Sequence, residues 1–111
     1  MEITSELRGG LLAVTVMDNR IDAAGAIRFK EDMRQIIETP SARVLLDLSN
    51  VTFLDSSGLG AVVAVRKLLG EARPLDLAGL TPTVQKVFRL TRMDTVFTIY
   101  PVLEDGLKNA S

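Results

Sequence analysis

The stretch that most constrains this chain is RVLLDL at residues 43–48, where Val44, Leu45, Leu46 and Leu48 leave almost no room for a polar face. A strand with one wet side alternates apolar and polar residues. A short, near-continuous apolar run fits a central strand covered on both faces. Such a strand belongs to a sheet flanked by helices, so the remaining sequence must supply them. Ser49-Asn50 ends the run, and LDSSGLG at 54–60 leads into AVVAVRKLLGEA. Leu59, Val62, Val63 and Leu69 fall there at helical spacing, with Val62, Val63 and Leu69 read as core.

The flanking segments supply the rest of the sheet and its covers. Ile3, Ser5 and Leu7 share one face of a strand, as do Leu12, Val14 and Val16, and Gly9-Gly10 between them predicts a β-hairpin. Asp22 is placed to cap a helix running through residue 38, with a stripe of Ile27, Phe29, Met33, Ile36 and Ile37 and with Pro40 just beyond. Pro74 precedes a strand carrying Leu75 and Leu77. Thr81-Pro82 reads as N-cap and first residue of a helix whose buried stripe is Val84, Val87 and Phe88. VFTIY at 96–100 predicts a last strand, and VLEDGLKNA after Pro101 a short amphipathic helix. The order β-β-α-β-α-β-α-β-α implies one α/β domain over residues 1–111, with about four helices on a mixed, mainly parallel sheet that starts with an N-terminal β-hairpin.

Composition removes several kinds of chemistry. The 111 residues include no Cys and no His, which excludes a disulfide framework, a thiolate nucleophile and a Ser-His-Asp triad. No metal site or cofactor is expected. No paired carboxylate constellation is evident either, so an enzyme is poorly supported. Thirteen basic against fourteen acidic residues, with no basic run, give nucleic-acid binding no electrostatic footprint. MEITSELRGG lacks the basic and apolar regions of a signal peptide, and no apolar run is long enough to span a bilayer. The expectation is a cytoplasmic monomer without membrane contact.

The chemistry concentrates in LDSSGLG. Either serine could cap a helix beginning near Ser57. Gly58 and Gly60 would let the first turn approach a strand or a partner closely, though each costs about 1 kcal/mol of helix stability relative to Ala. The stretch lacks the P-loop pattern with its lysine and the Gly-x-Ser-x-Gly nucleophile elbow. A phosphate on the first serine would gain from the helix dipole and free N–H groups, while setting nearly two negative charges beside Asp55. Spacing alone leaves cap and modification site open.

VLLDLSNVTFLDSSGLGAVVAVRK resembles the STAS family, specifically the bacterial anti-sigma factor antagonists. RIDAAGA at 20–26 stands where that family has its Gly-acid-Leu-Asp loop, and LTPTVQKVFRLTRMDTVFTIYP resembles its third helix and last strand. The resemblance implies a STAS fold and a protein–protein switch. Ser56, directly after Asp55, matches the phosphorylated serine. The partner would be an anti-sigma factor with serine kinase activity, bound only by the unphosphorylated form so that a sigma factor is released. A metal-dependent serine phosphatase would reverse the modification. Asp22, Asp55, Ser56, Ser57, Gly58, Leu59 and Gly60 match the partner-binding surface. The alternative within the family is a STAS scaffold subunit of a lipid-transport complex, a stressosome-like assembly or a secretion regulator.

The chain departs from the family pattern at Asp18-Asn19-Arg20-Ile21-Asp22, where Asn19 is expected to take the left-handed conformation that glycine supplies, and where Arg20 bears on partner choice. Asp22 is read mainly as a helix cap. Asp55 is open between dipole stabilisation and partner contact. Asp47 is read as a structural acid bonded to a loop, and Arg66, Lys67 and Arg73 as a solvated face. Phe53-Leu54 is left open between core and an exposed contact patch.

Overall fold

In the computed structural model, which describes residues 1–108, strands β1 (Ile3–Arg8) and β2 (Leu11–Val16) form the expected antiparallel hairpin. Its register pairs Ile3 with Val16, Ser5 with Val14 and Leu7 with Leu12, so the predicted faces coincide. Gly9 turns the chain with φ of +60°, a conformation open to glycine and strained for other residues. Strand β4 (Arg43–Asp47) lies parallel to β2 on one side and to β6 (Leu75–Ala78) on the other. Strand β7 (Ile99–Tyr100) closes the far edge, giving the order β1-β2-β4-β6-β7.

The central strand is covered on both faces, as RVLLDL requires. Helices α1 (Ala23–Ile36), α2 (Ser56–Leu69) and α3 (Pro82–Leu90) pack on one face, over Val14, Val44, Leu46 and Leu77. Helix α4 (Leu103–Lys108) covers Leu11, Leu45 and Ala78 on the other. Gly106 allows that contact, since a Cβ there would stand 2.6 Å from Leu45 Cδ2. Residues 109–110 of the expected tail helix lie outside the described residues.

Several local expectations are corrected. Ile27 is 60% exposed, and Ala26 takes its place in the buried stripe with Phe29 and Met33. Ile27 lies about 100° further round the helix than Ala26, off the buried meridian. In α2, Val62 and Leu69 are buried, but Val63 is only half-buried and Val65 completes the stripe. The last strand does not begin at 96. A 3₁₀ turn over Met93–Thr95 rotates Phe97 into the core, edge-to-face against Phe88 at 5.9 Å, and extended pairing starts only at Ile99. Thr81 stands at the N-cap with Pro82 following, yet its hydroxyl donates to the Val51 carbonyl at 2.7 Å instead of capping.

Arg73 is not part of a solvated face. Its guanidinium donates to the carbonyls of Ile37, Thr39 and Ser41 at 2.7–2.9 Å, tying the end of α1 to the approach of β6. Asp47 behaves as expected: it is buried and accepts from the Ser49 N–H at 3.0 Å. Asp76, also buried, pairs with Arg43, whose guanidinium further donates to the Tyr100 hydroxyl. Among the described residues no helix is long and apolar enough to cross a membrane.

Candidate functional site

Two short strands that periodicity does not reveal organise the site. β3 (Arg20–Ile21) and β5 (Phe53–Leu54) form a separate parallel pair, with Arg20 opposite Phe53 and Ile21 opposite Leu54. Each strand runs directly into a helix through an aspartate. Asp22 caps α1 and Asp55 caps α2, with backbone angles of −97°/−169° and −94°/−172°. Each carboxylate accepts from the N–H three residues on: Asp22 from Gly25 at 3.0 Å, Asp55 from Gly58 at 2.9 Å. Asp-Ala-Ala-Gly and Asp-Ser-Ser-Gly are thus one structural device used twice, side by side.

This geometry corrects the reading of the serines as caps. Helix α2 starts at Ser56, one residue before the expected Ser57, and Asp55 is the N-cap. An aspartate in that place satisfies an orphan N–H and sets negative charge at the positive end of the helix dipole. Ser56 and Ser57 occupy the first two helical positions, both exposed, and neither hydroxyl has a hydrogen-bond partner among the described residues. Asp55 therefore takes the cap expected of a serine, and the serines are left without a structural task.

The two glycines also part company. Gly58 is buried, and a Cβ there would lie 2.2 Å from the Ile21 carbonyl oxygen. Gly60 is exposed, with open space where a side chain would grow. Close approach to a strand accounts for Gly58 and not for Gly60. Leu59 is half-buried against the core cluster.

Around Asp22 the loop is held by backbone. The Asn19 carbonyl accepts from the N–H groups of Thr52 and Phe53 at 2.9 and 3.2 Å and from the Thr52 hydroxyl at 3.3 Å. Asn19 is not left-handed; among the described non-glycine residues only Arg92 has positive φ. The turn is secured by bonds to its neighbour in space and needs no unusual dihedral. Arg20 spans the paired strands, with its Nε 3.6 Å from Asp22 and its guanidinium 4.2 Å above the Phe53 ring. Phe53-Leu54 therefore divides: Leu54 is buried in the core, while Phe53 stays partly exposed beneath Arg20. The Gly25 N–H, with a further contribution from Arg20, holds the Asp22 carboxyl below its ordinary pKa.

Asp18, Asn19, Arg20, Asp22, Ala24 and Gly25 also line an open depression of about 390 Å³. Its charges are of both signs and its mouth is wide, which suits a protein contact better than a small anion. No described group of three acidic side chains is arranged to hold a metal. One signal in the sequence could have exposed the duplication: RIDAAG and FLDSSG share an apolar-Asp-x-x-Gly core. The Arg20–Phe53 stack has no such signal, because it depends on the register of two strands far apart in the chain.

Comparison with known proteins agrees with this fold. The STAS domain family profile matches residues 2–106. A STAS-domain containing protein of Pseudomonas aeruginosa is 31% identical over 84 residues, 75% of this chain and 82% of its own. The anti-sigma-F factor antagonist RsfB of Mycobacterium tuberculosis is 24% identical over 96 residues, 86% of this chain and 79% of its own. Among solved structures, an anti-sigma factor antagonist from Mycobacterium paratuberculosis superposes with a TM-score of 0.85 at 28% identity, covering 98% of this chain and 94% of that one.

Proposed function

This chain belongs to the STAS domain family, and we propose that it works within that family as an anti-sigma factor antagonist, a single STAS domain over residues 1–111 controlled by phosphorylation of Ser56. One observation carries the reading: Ser56 is exposed at the first position of α2, with Asp55 already serving as cap. Its hydroxyl can therefore be modified without removing a bond that the fold uses. A phosphate there would sit at the positive end of the helix dipole, beside the N–H groups of the first turn, so the domain tolerates it. It would also set close to two negative charges next to Asp55 and sharply change what a partner meets on this surface.

The unphosphorylated form binds an anti-sigma factor with serine kinase activity and frees the sigma factor. Phosphorylation ends that binding, and a metal-dependent phosphatase restores it. Asp22, Asp55, Ser56, Ser57, Leu59 and Gly60 form the contact surface, while Gly58 supports it from within. The names of the mycobacterial relatives support the antagonist role. The chain itself performs no catalysis in this scheme.

The test is phosphotransfer. With the cognate kinase and ATP, mass spectrometry should find one phosphate, on Ser56, and Ser56→Ala should take up none. Ser56→Asp should keep the fold and lose the partner. Full phosphorylation of Ser56→Ala, or undiminished partner affinity in Ser56→Asp, would refute the assignment.

A further inference from the structure

The outward faces of α1 and α2 carry a feature that the serine-centred mechanism does not use. Between them runs an open groove of about 360 Å³ lined by Lys30 and Arg34 from α1 and by Ala64, Lys67 and Leu68 from α2. Three of its five lining residues are cations and none is an acid, in a chain whose net charge is −1. Lys30, Arg34 and Lys67 make no ion pair among the described residues. Neither Glu31, in α1, nor Glu71, just past α2, forms an ion pair with them. Two large apolar side chains stand with the cations: Leu68 is 51% exposed, and Ile27, one turn before Lys30, is 60% exposed. Scattered exposed apolar residues are ordinary. A groove that sets one of them, Leu68, among unpaired charges of one sign, with Ile27 one turn along α1, is a different matter.

We propose that this groove docks an acidic amphipathic helix of a partner protein. Glutamates or aspartates one turn apart would meet Lys30, Arg34 and Lys67, while an apolar stripe covers Leu68 and Ile27. The small Ala64 side chain on the floor lets a helix approach closely. An anionic membrane would also attract the cations, but a flat bilayer cannot enter a groove between two helices. The groove begins about two turns beyond Ser56 along α2, so one partner could cover both. The inference deepens the proposed function in that it rests on the chain acting by binding a protein.

The test uses the full chain labelled with ¹⁵N. It is titrated with a synthetic helical peptide bearing one Glu/Leu face, with a scrambled peptide of equal composition, and with phosphatidylglycerol vesicles. Shifts from the helical peptide should map to the groove and weaken with salt. The Lys30→Glu/Lys67→Glu double variant, its fold checked by circular dichroism, should bind at least about tenfold more weakly, as the loss of several exposed charge pairs implies. Equal binding of the scrambled peptide, groove-dependent binding of vesicles, or unchanged affinity in the double variant would each overturn the proposal. Phosphotransfer to Ser56 reports on the other reading separately: the groove can fail while Ser56 is still phosphorylated, and the reverse.

Discussion

The two glycines of DSSGLG, two positions apart, should respond to the same substitution in opposite directions. Alanine at either place removes the conformational penalty of glycine in a helix, a gain of up to about 1 kcal/mol. At residue 60 that gain stands alone, because the new methyl meets nothing within 4 Å. At residue 58 the methyl would lie 2.2 Å from the Ile21 carbonyl oxygen, where real contacts do not fall below 3.0 Å. The obstacle is backbone, paired through β3 to β5, so relief must come from moving the start of α2 or loosening that pair. Overpacking of this kind costs about 1–3 kcal/mol, and a backbone obstacle belongs at the upper end. The net expectation is a loss of about 2 kcal/mol for Gly58→Ala and a gain of about 0.5–1 kcal/mol for Gly60→Ala. For a chain of this size, 1 kcal/mol corresponds to about 4 °C in Tm, so the two variants should melt about 10 °C apart. Urea unfolding followed by far-ultraviolet circular dichroism measures both, with an unchanged m-value as the check on a shared unfolded state. If Gly58→Ala matched the parent, or Gly60→Ala fell below it, the distinction drawn between packing and openness would be wrong.

Further outcomes follow from the caps and the loop bonds. Asp55→Ala should cost about 1 kcal/mol by removing the Gly58 cap, and Asp55→Asn should retain most of it in the same urea assay. Asp22, whose folded pKa is lowered by the Gly25 N–H and Arg20, should titrate by NMR with a midpoint below the ordinary 3.8. Its contribution to stability is then complete above that ordinary value and is lost as pH falls through the lowered one. The Asp22→Asn protein should lack this acid-side decline, and a midpoint at or above 3.8 would contradict the cap as described. Arg73→Ala should lose about 1–2 kcal/mol with its carbonyl bonds, and Arg73→Lys should recover only a minor part, since an ammonium cannot reproduce the planar fork.

Elements with their own periodicity were legible. The hairpin, the central strand, four helices and their order follow from patterns that lie within each segment, and the STAS resemblance of residues 44–66 agrees with the architecture found. The misses share a cause. β3 and β5 are two residues long, too short to show alternation, and exist only because each finds the other. Arg73 looked like any surface cation until the turn after α1 brought three carbonyls to it. Ile27 matched the helical stripe in type but not in angle. Phe97 left the predicted strand because Phe88 offered it an aromatic partner in the core.

At the proposed site the division is sharper still. By itself the sequence determined the absence of His and Cys chemistry, the strand–acid–serine–glycine order, and a helix that starts at the serines. Whether aspartate or serine caps that helix was decided where β5 ends, because the end of the strand sets the backbone angles of the residue that follows. Which glycine is obligatory was decided by a carbonyl of Ile21, distant in the chain and brought near by strand pairing. Capping and close approach depend on where backbone atoms sit in space, and only the folded chain places them.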